Sequence, residues 1–102
     1  MLLSNVALAR SGDKGDTSDI TVIARRPEDY ATLRRLVTSE RVDAHFADLG
    51  SSAVERFELP QLHALKFVLH DALDGGVTSS LNLDAHGKCL GSCLLDMEIP
   101  DD

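Results

Sequence analysis

A chain of 102 residues, 43% hydrophobic and 26% charged with a formal net charge of −7, has the size and balance of one globular domain that buries a core without metals or disulfides. The negative balance argues against a phosphate-backbone binder, which needs clustered cations, and against an electrostatic membrane anchor; no apolar run approaches membrane-spanning length. Aromatic residues make up only 4% (Tyr30, Phe46, Phe57, Phe67), so the core rests on Leu, Val, Ile and Ala, and the stacking surface that single-stranded nucleic acid uses is scarce.

Met1-Leu2-Leu3 is followed at once by Ser4 and Asn5, so no apolar leader segment develops and a cytoplasmic protein with reduced thiols is expected. Residues 5–10 read as a strand with Val6 and Leu8 on one side. Ser18 to Arg25 reads as a second strand, its Ile20, Val22 and Ala24 alternating with Thr21 and Ile23. Apolar residues on both faces make it a central strand. Pro27-Glu28-Asp29 is a helix-start signal, and Tyr30, Leu33, Leu36 and Val37 form the buried stripe that follows. Thr38-Ser39 interrupts the pattern, and either residue can cap a new start; Val42, Phe46 and Leu49 continue at helical spacing to Gly50, which gives two consecutive helices or one helix broken near Thr38.

Ala53 to Leu59 is predicted as a third strand, Val54, Phe57 and Leu59 against Glu55, Arg56 and Glu58, with one step out of alternation. The charged three are expected to form cross-strand pairs on a solvated face. Pro60 is predicted to open a helix whose Leu62, Leu65, Val68, Leu69, Ala72 and Leu73 fall on one arc, stopped by Asp74-Gly75-Gly76. A fourth strand over Ser79–Leu83 and a turn over 84–88 follow. The segment Cys89–Ile99 fits a short helix with an extended end, or an edge strand. The layout is α+β: a four- to five-stranded, mainly antiparallel sheet with helices on one face, in one domain spanning 1–102.

The densest polar stretch is Arg10-Ser11-Gly12-Asp13-Lys14-Gly15-Asp16-Thr17, set between two apolar segments. Read as a loop, it is longer than a turn requires, and loops carry sites. Three chemistries fit its residues. Amides around Gly12 and Gly15, with Arg10 and Lys14, would form an anion-binding nest. Asp13, Asp16 and Asp19 would gather a hard cation. Asp13 or Asp16 beside Lys14 would make an acid–base pair. The spacing matches neither the P-loop nor the calcium loop, and charges pairing with one another and with water are the plain alternative.

His63, Phe67 and His70 fall with Lys66 on the polar arc of the predicted Pro60 helix. A large aromatic beside two imidazoles there suggests a partner surface; metal binding by the two histidines is disfavoured by their seven-residue spacing. His86, Cys89 and Cys93 make a sparse zinc-like set with no evident fourth ligand. On a helix Cys89 and Cys93 share a face; on a strand they point the same way but sit too far apart to bond. They read as core-filling thiols.

Ala9-Arg10-Ser11-Gly12-Asp13-Lys14-Gly15-Asp16-Thr17 with Ile23-Ala24-Arg25 resembles the opening of the AtuA-like ferredoxin-fold domain family. Val54-Glu55-Arg56-Phe57-Glu58-Leu59-Pro60 with Leu65-Lys66-Phe67-Val68-Leu69 resembles its middle. Gly75-Gly76-Val77, Ser80-Leu81, Asp84 and Gly87-Lys88 with Leu90-Gly91 resemble its end. In that family the small domain occurs alone or behind a larger domain named for acyclic terpene utilisation. The resemblance implies a ferredoxin-like α+β sandwich and makes residues 10–17 the leading site. It implies no iron–sulfur cluster, since two cysteines cannot supply four thiolates, and no other cofactor. Lysine stands at position 66 where the family pattern implies an asparagine before the aromatic, which bears on any polar role there. Two functions are expected in competition: an accessory small subunit assembling with itself or with a larger AtuA-type protein, and an enzyme component holding an anionic acyl substrate at residues 10–17.

Overall fold

The computed structural model describes residues 1–14, 17–47, 53–70 and 89–100. Strands β1 (Ala7–Lys14), β2 (Thr17–Ala24), β3 (Ala53–Leu59) and β4 (Ala64–His70) form an all-antiparallel sheet in the order β1-β2-β4-β3. Helices α1 (Asp29–Leu36), α2 (Ser39–His45) and α3 (Cys89–Leu95) and two 3-10 turns, Leu3–Asn5 and Pro60–Leu62, complete the described elements. The α+β layout expected from the sequence is the observed one.

One register runs through all four strands. Leu8, Ile23, Ala64 and Leu59 lie in one row across the sheet; Arg10, Thr21, Lys66 and Phe57 lie in the next; Gly12, Asp19, Val68 and Glu55 in the third. The alternate rows, between and on either side of these, present Ala7, Ile20, Val22, Leu65, Phe67 and Leu69 to the core, all fully buried. Leu33 of α1 with Val37 just past its end, Val42 of α2 with Phe46 just past its end, and Leu90 and Leu94 of α3 close over them. All three described helices therefore cover one face, as expected, and the described side chains of the opposite face remain partly or well exposed except Ala64.

Local signals explain most elements. Thr38 caps α2 as its sequence position suggests, its Oγ1 accepting the Arg41 N–H at 3.1 Å. The segment from Cys89 resolves to a helix followed by an extended end, where Leu2 bridges Glu98. Gly91 sits in α3 where a Cβ would come within 3.3 Å of the Ser11 Oγ, so the missing side chain lets the helix lie close on β1. The expectations for residues 48–52 and 71–88 (the stop at Gly50, the strand at Ser79–Leu83, the turn and His86) lie outside the described residues.

Two expectations are corrected. The helix predicted from Pro60 is a single 3-10 turn, Pro60–Leu62, followed by strand β4. The outward side of β4 holds Ala64 and Val68 beside Lys66 and His70, so Leu65, Val68 and Leu69 mimic a helical arc while Leu65, Phe67 and Leu69 set the true two-residue period. The second correction concerns Arg56. It does not join a solvated row with Glu55. Its Nε–H donates to the Val37 carbonyl at 3.0 Å and its Nη2–H to the Arg34 carbonyl at 2.5 Å, while Nη1 pairs with Glu58 at 3.3 Å. One guanidinium thus satisfies carbonyls left open at the C-terminal end of α1 and ties that helix to the edge strand. Arg56→Ala is expected to lower unfolding free energy by about 1–3 kcal/mol in denaturant titrations, and Arg56→Lys to recover only part of it, because an ammonium cannot fork between two carbonyls.

Candidate functional site

The residues of the polar stretch are mostly a ladder. β1 runs to Lys14 and β2 starts at Thr17, with Arg10↔Thr21, Ser11↔Ile20, Gly12↔Asp19, Asp13↔Ser18 and Lys14↔Thr17 paired. This overturns the reading of 10–14 and Thr17 as a loop. An extended ladder does not offer the consecutive convergent amides of a nest, so Gly12 takes no part in one. Instead the Gly12 carbonyl accepts the hydroxyl of buried Ser18 at 3.2 Å. Gly15 and Asp16, and the side chains of Asp13 and Lys14, lie outside the described residues, and with them the acid–base and most of the cation reading. Among the described residues no three His, Cys, Asp or Glu side chains gather as a metal would require.

What the ladder does is aim its residues. Alternation sends Ser11 toward Gly91 of α3 and puts Arg10 and Gly12 in the uncovered rows, beside Thr21 and Asp19 of β2. There a hollow of about 500 Å³ opens on the uncovered face. Arg10, Gly12, Asp19 and Thr21 form its polar end, and Ile23, Ala64 and the 65% exposed Leu62 its apolar end. Gly12 widens it; the Asp19 carboxylate lies where a Cβ at Gly12 would touch it at 3.4 Å. Among the described residues Arg10 and Asp19 form no ion pair. A guanidinium, a hydroxyl and a carboxylate thus border an apolar floor, an arrangement suited to an amphipathic group with a polar end.

The three residues expected at a partner surface separate. Phe67 is fully buried under the helices, because the strand period turns it inward with Leu65 and Leu69. His70 ends β4 on the uncovered face, its Nε2 2.5 Å from the Glu55 Oε1. His63 stands at the β3–β4 connection, with φ of 52°. Its N–H donates to the Pro60 carbonyl at 3.2 Å, its carbonyl accepts the Ala24 N–H at 2.9 Å, and its ring meets Tyr30 edge-on at 6.0 Å. Sequence reading missed Thr21, Ile23, Leu62 and Ala64 at the hollow and Phe57 on the same face, 45% exposed. The signal for Phe57 was the step out of alternation in β3, which marks an apolar residue on the polar side. Cys93 is half-buried and packs against the core, as a space-filling thiol would.

A four-stranded antiparallel sheet backed by helices on one face defines an α+β sandwich of the ferredoxin-like kind. A family model described as the AtuA ferredoxin-like domain matches residues 1–100, and the chain belongs to that family. No curated protein and no solved structure matches it.

The left-handed backbone at His63 is a local test of this geometry. His63→Val is expected to lower unfolding free energy by about 1–2 kcal/mol, since a β-branched side chain resists positive φ. His63→Gly relieves the same strain and is expected to stay within about 1 kcal/mol of the parent despite losing the Tyr30 contact. Denaturant midpoints of the two variants check the order.

Proposed function

We propose that this chain is an accessory, small-subunit domain of an AtuA-type system that works by assembly. The observation that supports this is the uncovered sheet face, which exposes Leu8 at 49%, Phe57 at 45% and Leu62 at 65% beside Arg10, Lys66, Asp19 and Glu55. Apolar residues rimmed by mixed charge are the composition of a surface that another protein covers. The partners in this reading are further copies of the chain and a larger AtuA-type protein. The family's link to acyclic terpene utilisation favours a cytoplasmic setting in terpenoid and acyl-CoA breakdown. In the test, the purified chain is mixed with the larger AtuA-type protein of the same source, and mass is read by light scattering on a sizing column. A complex that Phe57→Asp abolishes is the expected result. A chain that stays apart from that protein and also monomeric by itself, up to about 1 mM, overturns the reading.

A second reading has its own observation, the hollow that sets Arg10 beside Ile23 and Leu62. It holds an anionic acyl ligand, with its carboxylate or phosphate on Arg10 and its chain on the apolar floor. Medium-chain acyl-CoAs and free fatty acids at about ten times their Kd are expected to raise the melting midpoint by several degrees. Arg10→Ala is expected to remove that rise while leaving the unliganded midpoint within about 4 °C, as for other exposed surface changes. No shift with any of these anions ends this second reading.

A further inference from the structure

The rows of the uncovered face carry a pattern that fits itself. Phe57 stands out on the β3–β4 half, and the hollow opens on the β1–β2 half, centred on the row that holds Arg10 and Thr21. Consider a two-fold axis parallel to the strands, running between β2 and β4 and lying between two such faces. It sets β1 over β3 and β2 over β4 of a second copy, and it leaves each row facing its equivalent. Leu8 then meets Leu59 of the second copy, and Ile23 meets Ala64, so apolar row lies on apolar row. Arg10 meets Phe57, whose ring enters the hollow under the guanidinium. Lys66 falls over Thr21, one row from Asp19, a step of about 7 Å along the strand that a lysine stem spans. Each contact occurs twice, as an isologous interface requires.

We propose that two copies of this chain pair face to face through this surface, with Phe57 of each seated in the Arg10–Thr21–Leu62 hollow of the other and Lys66 of each paired to Asp19 of the other. The proposal rests on the assembly reading above and names the partner as a second copy. The choice of that partner rests on complementarity already present within one face: a protruding aromatic and a hollow of matching row, and two cations, Arg10 and Lys66, in the row next to two acids, Asp19 and Glu55. Strand directions in the two sheets stay nearly aligned, the usual arrangement of packed sheets. A face four strands wide and seven residues long covers about 450 Å² in projection, below the ~800 Å² per partner of a standard interface, so the pairing belongs in the micromolar range or weaker.

Sedimentation equilibrium of the isolated chain from about 1 µM to 1 mM tests it. A monomer–dimer equilibrium is expected within that range. Phe57→Asp is expected to weaken it by about thirtyfold or more, the loss typical of a central aromatic anchor. Leu62→Arg serves the same purpose should Phe57→Asp fail to fold, judged by circular dichroism and melting midpoint. Lys66→Glu and Asp19→Lys are each expected to weaken self-association by about tenfold or more through like charges, and an equimolar mixture of the two to form a heterodimer within about threefold of the parent affinity. A monomer at every concentration overturns the proposal, as does a dimer indifferent to both apolar variants or a mixture that fails to recover. A chain that is monomeric alone yet binds the larger AtuA-type protein overturns self-pairing and leaves the assembly reading standing.

Discussion

The pleat governs this molecule. Side chains alternate between the two faces of every strand, and one continuous register carries that alternation from Leu8 through Ile23 and Ala64 to Leu59 without a slip. A shift of one residue at any pairing would exchange the faces. At the β2–β4 pairing it would expose either Ile20 and Val22 or Leu65, Phe67 and Leu69, all now fully buried, and each such side chain is worth about 1.5–3 kcal/mol on burial. The same rule that hides these residues leaves Arg10, Asp19, Lys66 and Phe57 outside. Core and candidate site are thus two readings of one ladder.

The helices matter because they take one face and leave the other. α1 is held through its last carbonyls by Arg56, which reaches them from the sheet's edge strand. α3 is held by closeness, Gly91 against Ser11. These devices differ in kind: the first meets the needs of a helix end with a charged fork, the second removes a side chain so that backbone approaches backbone. Both act from the inward side of their strands. Among the described residues the outward side exposes Leu8 and Phe57, with Leu62 beside them, together with Arg10, Asp19, Lys66 and Glu55.

Elements whose local chemistry is decisive were legible in the sequence. Thr38 as a cap, Ala53–Leu59 as a strand and the alternation of Ile20 and Val22 could be read because nearest neighbours determine them. β4 could not, because Val68 stands on its outward side between Lys66 and His70 and blurs the two-residue signature, leaving Leu65, Val68 and Leu69 to imitate a helix. Arg56 could not either: its partners, the Arg34 and Val37 carbonyls, exist only once α1 ends beside β3. The polar stretch reads as a loop, and its residues 10–14 and 17 are paired strand instead. Arg10 and Gly12 matter through the direction in which a strand points them, and their hollow is completed by Thr21, Ile23, Leu62 and Ala64, which no local motif links to them.

The Phe57 ring of a second copy and an anionic ligand would both draw on Arg10. Arg10 is the element common to both, since a guanidinium receives either a π-face or a carboxylate. If copies pair as proposed, any ligand that takes Arg10 away from Phe57 of the second copy lowers the affinity between copies, and the second copy lowers the affinity for that ligand by the same factor. The face would then act as an exchange point, in which the concentration of an amphipathic anion sets how much of the surface is free to meet another protein. That coupling needs no moving part. It follows from the placement of one exposed arginine, by strand alternation, at the border between the polar and apolar ends of the hollow.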